Sequence, residues 1–217
     1  MPRTELHVKA LLIDMDGTLV NSDAVVERIW RAWALRHGLD PEQVLRVAHG
    51  RQGYATMAAL LPERPVEINL AENEAMLAEE TRDTEGVVEI PGAAALLAAL
   101  APYPHALVTS ADLPLATARL TAAGLALPAV RITAEDVGAS KPDPEGFLKG
   151  AAALGADPAD CLVLEDSAAG IAAGRAAGAT VLGIGPRAAA YAPDHHVTDL
   201  RAVRVEGTAD GVRVRLG

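Results

Sequence analysis

Apolar residues in this chain fall in short unbroken runs set between longer stretches of helical spacing. Residues 8–13 (VKALLI), 106–108 (ALV), 161–164 (CLVL) and 180–184 (TVLGI) each run on until a polar or glycine-containing turn stops them. A strand with one wet face alternates apolar with polar, whereas a strand buried on both faces reads as a continuous apolar run. The runs therefore predict the strands of a parallel sheet. Between them, stretches such as 92–100 and 115–123 are rich in Ala, Leu and Gly at helical spacing. Strands alternating with helices predict an α/β protein with a doubly wound parallel sheet. Polar residues cluster where the apolar runs end, and those strand ends are where open α/β sheets bind ligands.

One stretch breaks the alternation. Residues 23–87 carry helical patterns and no convincing buried strand. Val26, Ile29, Trp30, Trp33 and Ala34 share one face of an amphipathic helix that ends near His37-Gly38. Asp40 followed by Pro41 marks the start of a second helix, and residues 57–61 and 70–80 supply further turns. This predicts a small helical insertion, 23–87, in a core made of 1–22 and 88–217. The segment AVRVEGTADGVRVRL, 202–216, alternates Val with polar residues around Asp-Gly and reads as a β-hairpin or edge strands.

Composition narrows the function classes. The 217 residues include 19 Lys plus Arg against 29 Asp plus Glu, a formal net charge of −10. That balance argues against nucleic-acid binding, which needs a basic surface. Six aromatic residues, two Trp, three Tyr and one Phe, make a base-stacking platform improbable. A single cysteine, Cys161, excludes an intrachain disulfide and a cysteine-rich zinc site; inside an apolar run it reads as an inert core residue. The start lacks a signal-peptide pattern, and the longest apolar helical patch, 93–101, is too short to span a bilayer. The expectation is a cytoplasmic, reduced protein with no membrane and no obligate protein partner.

The strand ends carry the candidate chemistry. Asp14-Met15-Asp16-Gly17-Thr18-Leu19 directly follows the first run. Two carboxylates two residues apart repel unless a counter-charge intervenes, and hard oxygen ligands suit Mg²⁺. Thr109-Ser110 follows the second run; these hydroxyls either cap the next helix or, with free backbone N–H groups, form an oxyanion site. Lys141 sits in GASKPDPE, a compact ammonium suited to a phosphoryl oxygen. Glu165-Asp166 follows LVL and precedes SAAGI. Four polar groups, each at the end of a predicted strand or in a loop after one, are hard to attribute to chance. His195-His196 has no converging partners by spacing and reads as loop, and Trp30 and Trp33 read as packing.

DMDGTL, VTS, the lysine of SKPDP and LEDSAAGI, in that order, resemble the four motifs of the haloacid dehalogenase-like hydrolase superfamily. HGRQGYATMAALLP, ITAEDV, KPDPEGFLKG and EDSAAGIAAGRAAGA are similar to its small-sugar and polyol phosphatases, such as the glycerol-phosphate and 2-deoxyglucose-6-phosphate phosphatases. The resemblance spans essentially the whole chain and implies a Rossmann-like core with an inserted helical cap. It implies an aspartyl-phosphate mechanism on a small phosphorylated metabolite, with Asp14 as nucleophile and Asp16 as general acid and base. Mg²⁺ would bind the Asp14 and Asp166 carboxylates and the Asp16 carbonyl, with Glu165 a supporting partner or an extra ligand. Lys141 and the Thr109 or Ser110 hydroxyl would hold phosphoryl oxygens. His49-Gly50-Arg51 resembles a cap loop facing the core, in which Arg51 either meets a hydroxyl-rich or phosphorylated leaving group or lies solvated at a helix end. A hexose-phosphate mutase shares all four motifs, and a phospho-ligand sensor is the non-enzymatic alternative. A carbon–halogen hydrolase needs neither Asp16 nor Mg²⁺ and is disfavoured.

Overall fold

The computed structural model describes residues 4–217. The chain opens with β1 (Thr4–Val8), β2 (Ala10–Ile13) and the short β3 (Val20–Asn21). Four helices follow: α1 (Asp23–Arg36), α2 (Pro41–Ala48), α3 (Gly53–Leu60) and α4 (Val66–Arg82). Strands and helices then alternate through β4 (Val88–Glu89), α5 (Ala93–Leu100), β5 (His105–Val108), α6 (Leu113–Ala122), β6 (Arg131–Ile132), α7 (Glu145–Ala153), β7 (Cys161–Glu165), α8 (Ala168–Ala176), β8 (Thr180–Ile184) and α9 (Gly185–Ala188). The chain finishes with β9 (His195–Val197), β10 (Val203–Thr208) and β11 (Gly211–Leu216).

Six of these strands form a parallel sheet in the order β6-β5-β2-β7-β8-β9. The central strands are buried on both faces, as their unbroken apolar runs predict. Successive residues point to opposite sides: Leu11, Ile13, Leu162 and Leu164 enter one apolar cluster, and Ala10, Leu12, Cys161 and Val163 enter the other. The first cluster continues through α5, α6 and the helices of 23–82, including Trp33, Met57 and Met76. The second continues through Phe147 of α7 and Ile171 of α8. The chain leaves β2 toward β5 on one side and later reaches β7 on the other. The crevice between those departures is where such a sheet presents its loops to ligands.

Three expectations are corrected. The run 8–13 is not one strand: it divides at Lys9, which leaves Val8 in β1 and begins β2 at Ala10. β1 pairs antiparallel with β11 in a separate three-stranded sheet, and the Lys9 side chain donates to the Asp210 carbonyl at the hairpin turn. The hairpin at the chain's end is present as β10 and β11, so its second strand serves as the template for β1. His195-His196 is strand rather than loop, pairing parallel with β8 at the sheet edge. On α1 the buried face takes Val25 rather than Val26; Val26 instead faces a cavity described below.

Residues 23–82 hold only helices, and a two-stranded ribbon, β3 against β4, joins the chain where it enters and leaves them. The Asp40 carboxylate caps α2 by accepting from Glu42 N, with Pro41 in the first turn. Cys161 is buried, and burial pushes its thiol up to about 11, as befits an inert residue. No helix among the described residues is long and apolar enough to cross a membrane.

Candidate active site

The loop after β2 sends its two carboxylates different ways. Leu19 N and Val20 N both donate to the Met15 carbonyl, and Gly17 N donates to Val20 O at 2.7 Å, so the chain folds back at once. Gly17 makes this turn with φ at +84°, and a Cβ there would fall 2.0 Å from Asp166 Oδ2. Only glycine allows both the left-handed turn and the close approach. Asp14 consequently points into the buried strand ends, while Asp16 points toward a cavity beneath the helical segment.

Lys141 ties three strand ends together. Its Nζ donates to Asp14 Oδ1 at 2.7 Å, to Glu165 Oε1 at 2.8 Å and to the Val108 carbonyl at 3.2 Å, and it sits 5.0 Å from the Phe147 ring centre. Burial alone would lower the pKa of this amine; Asp14 and Glu165 outweigh it and raise the pKa above the ordinary lysine value. The other oxygen of Glu165 accepts from Asp166 N, Ser167 N and Ser167 Oγ at 2.8, 2.8 and 3.0 Å. Both oxygens of this fully buried carboxylate are therefore engaged with the protein.

Asp14, Glu165 and Asp166 each offer an oxygen within 4.8 Å of the others, and all three are buried. Burial pushes the Asp14 carboxyl up to about 7, helped by the charge of Glu165 and opposed by Lys141. Burial, then Glu165 and Asp14, raise Asp166 well above the usual range against the pull of Arg187. One lysine and one partly exposed arginine do not balance this cluster. Hard carboxylate oxygens with surplus negative charge fit a divalent cation.

Asp16 is held from two sides. Ser22 Oγ donates to its Oδ1 at 2.6 Å, and Arg119 Nη1 stands 2.8 Å from its Oδ2. Thr109 and Ser110 line the same cavity as Asp14 and Asp16, but neither caps the next helix. That cap is Asp112, which accepts from Leu115 N. Thr109 Oγ1 accepts from Ala111 N, and Ser110 Oγ donates to the Gly50 carbonyl across the cavity at 3.0 Å.

His49 and Arg51 also face this cavity. His49 Nδ1 lies 3.1 Å from Arg187 Nη1, and burial followed by the guanidinium lowers its pKa. Among the described residues, no hydrogen bond or ion pair engages the Arg51 side chain. Trp30, read as packing, meets Trp33 edge-on at 5.4 Å and has an edge on the cavity as well. Gly50, with φ at +78°, lies so close to Ser167 that a Cβ would meet its Oγ at 2.0 Å.

Sequence reasoning missed two arginines, together with Asp23 and Glu80, which they hold. Arg187, from α9, contacts Asp166 Oδ2 at 2.7 Å and grips both oxygens of Asp23 at 2.7 and 2.8 Å. Arg119, from α6, links Asp16 to Glu80 of α4. Arg119 lies in no motif and at no strand end; Arg187 stands three residues past the end of β8, a signal that sequence reasoning passed over.

The comparisons agree with this geometry. A family model described as haloacid dehalogenase-like hydrolase matches residues 8–178. Hexitol phosphatase A of Escherichia coli is 42% identical over 181 residues, covering 82% of this chain and 84% of that protein. Glycerol-1-phosphate phosphohydrolase 2 of Saccharomyces cerevisiae is 35% identical over 190 residues, covering 82% and 75%. Among solved structures, a putative β-phosphoglucomutase from Bacteroides vulgatus superposes with a TM-score of 0.75 at 25% identity, covering 90% of this chain and 85% of that one. With its carboxylate cluster at the ends of β2 and β7 and its helical insertion after β3, this chain belongs to the haloacid dehalogenase-like hydrolase family.

Proposed function

We propose that the protein is a Mg²⁺-dependent phosphatase that hydrolyses a small sugar or polyol phosphate monoester through an aspartyl-phosphate. The observation that carries this reading is the Asp14 carboxylate, held by Lys141 at the mouth of the sheet, with Asp16 turned to the cavity beside it. The phosphatase names of the relatives support the reaction class, and their substrates support hexitol or glycerol phosphates as the first candidates. In this reading residues 1–22 and 88–217 form the core and 23–87 the cap.

Asp14 attacks phosphorus in line, and the leaving oxygen departs as the P–O ester bond breaks. Asp16 gives its proton to that oxygen, then takes one from the water that splits the acyl phosphate and regenerates Asp14. Lys141 and the hydroxyl of Thr109 or Ser110 hold phosphoryl oxygens. Asp14, Asp166 and the Asp16 carbonyl are the ligands that would hold Mg²⁺, which when bound supplies positive charge for the phosphoryl group. Glu165, its oxygens already satisfied by Lys141 and backbone donors, acts as the brace for those ligands. The helical segment covers the cavity that Asp14 and Asp16 line, and its His49 and Arg51 face the leaving group.

The test is phosphate release with Mg²⁺ from a panel of hexitol, glycerol, hexose and pentose phosphates, with isomerisation of β-glucose 1-phosphate followed in parallel. Release with a clear preference for one polyol or sugar phosphate supports the reading. Isomerisation without release overturns it in favour of the mutase, which the resemblance to the Bacteroides structure keeps in view. No reaction on any substrate overturns it in favour of a phospho-ligand sensor.

A further inference from the structure

Arg119 is 3% exposed, yet it borders the cavity. Its two terminal nitrogens serve different carboxylates: Nη1 stands 2.8 Å from Asp16 Oδ2, and Nη2 donates to Glu80 Oε2. Asp16 belongs to the loop after β2, whereas Glu80 belongs to α4 within the inserted helices. The guanidinium is thus a planar bridge between the two sides of the cavity. With Ser22 on Oδ1, both oxygens of Asp16 are anchored, and the carboxyl group keeps one face toward the cavity. A group that hands over a proton must be held to within a fraction of an ångström, and such precision comes from neighbours that lock its rotamer. Nothing else among the described residues performs this for Asp16 Oδ2.

We infer that Arg119 is a positioning residue that aims the Asp16 carboxyl at the leaving-group oxygen, and that Glu80 makes this aim depend on α4 being seated over the cavity. Arg119 touches no reacting atom; it acts through Asp16. A lysine at this position has one compact ammonium and lacks the fork that reaches two separated carboxylates. Glu80 is itself buried and has Arg119 as its ion-pair partner, so lifting α4 would part the pair and leave the guanidinium on Asp16 alone. The bridge therefore couples closure over the substrate to readiness of the proton donor. This rests on the reading of Asp16 as that donor, and the experiment separates the two.

The measurement is kcat/KM, which reports events through departure of the leaving group, for three substrates with saturating Mg²⁺. Sorbitol 6-phosphate and phenyl phosphate have basic leaving groups that need a proton; p-nitrophenyl phosphate, shaped like phenyl phosphate, does not. Arg119→Lys should lower kcat/KM for the first two by roughly tenfold or more relative to p-nitrophenyl phosphate, a fraction of the usual general-acid contribution. Glu80→Gln should shift the same ratio in the same direction by less, because Arg119 keeps its hold on Asp16. Asp16→Asn should show the same selectivity at its largest. Arg119→Gln strands two buried carboxylates and risks misfolding; Arg119→Lys and Glu80→Gln avoid that outcome. Equal losses of Arg119→Lys on all three substrates, or no loss, would overturn the inference while a selective Asp16→Asn leaves the donor assignment standing. An unselective Asp16→Asn would overturn both.

Discussion

The ammonium of Lys141 stands 2.7 Å from the carboxylate of Asp14, across 127 positions of chain, and both side chains are buried. The same nitrogen reaches Glu165, so one cation gathers two carboxylates from adjacent strands. The resulting surplus of negative charge shapes the behaviour of the whole site.

Asp14→Asn removes the oxygen proposed to attack phosphorus and almost no volume. Activity on every phosphate substrate should fall to less than about a thousandth of the original, since covalent catalysis is lost outright. The circular dichroism spectrum should be unchanged. Substantial remaining turnover would mean that another group attacks phosphorus.

Metal and pH should act together on stability. The Asp14 carboxyl, pushed by burial to about 7 from an ordinary 3.8, holds its proton more tightly when folded than when unfolded, and Asp166 shifts the same way. For Asp14 the stabilisation is complete below about pH 4 and is lost as pH rises through about 7. Metal-free protein should accordingly lose thermal stability across that window. Mg²⁺ needs the deprotonated ligands, so its increment in Tm should be larger at pH 8 than at pH 5. Thermal melts with Mg²⁺ and with EDTA check both slopes; a Mg²⁺ increment that shrinks as pH rises contradicts the argument.

Glu165 and Asp166 should differ in their effect on metal affinity. Glu165 accepts from Lys141 and from two backbone N–H groups, so Glu165→Gln should weaken Mg²⁺ binding by about 10–100-fold through loosened ligands. Asp166→Asn removes a carboxylate proposed to bind the metal directly and should weaken it further. Isothermal titration calorimetry orders the two variants; the reverse order would make Glu165 the direct ligand.

Arg51 faces the cavity and, among the described residues, its side chain has no hydrogen-bond or ion-pair partner, so in the proposed reading its donors serve the substrate. Arg51→Ala should lower kcat/KM for a polyol phosphate by roughly tenfold, the weight of a lost charged hydrogen bond, and change p-nitrophenyl phosphate hydrolysis much less. An equal loss on both would assign the side chain a structural part instead.

What could be read in advance follows from where the information lies. The central strands were legible because burial on both faces writes itself as an unbroken apolar run, and Asp14, Glu165 and Asp166 could be gathered because each stands just beyond such a run, whereas Lys141 follows no such run and was found through its SKPDP motif. Lys9 shows the limit: a single exposed lysine splits one apparent strand between two sheets, a decision made by the partner strand β11 rather than by local pattern. His195-His196 was misread because an edge strand three residues long has too little sequence to show a period. Arg119 and Arg187 were missed for a different reason. Each sits on a helix whose own pattern gives it no special place, and its partners stand 21 to 164 positions away in the chain.

The order of the parallel sheet has a consequence for how the protein is made. β2, which leads into the Asp14 loop, is a central strand, yet β5 begins some 90 residues later and β7 roughly 150 residues later. At about 5–20 residues per second, a ribosome needs on the order of 10–30 s to deliver that second neighbour. During that interval the most apolar strand of the chain has emerged with at least one edge unpaired, the condition under which nascent α/β proteins stick to one another or engage chaperones. The carboxylates that will share Lys141 remain apart until the second half of the sheet has been synthesised, so the charge crowding of the finished site is never imposed on the nascent first half.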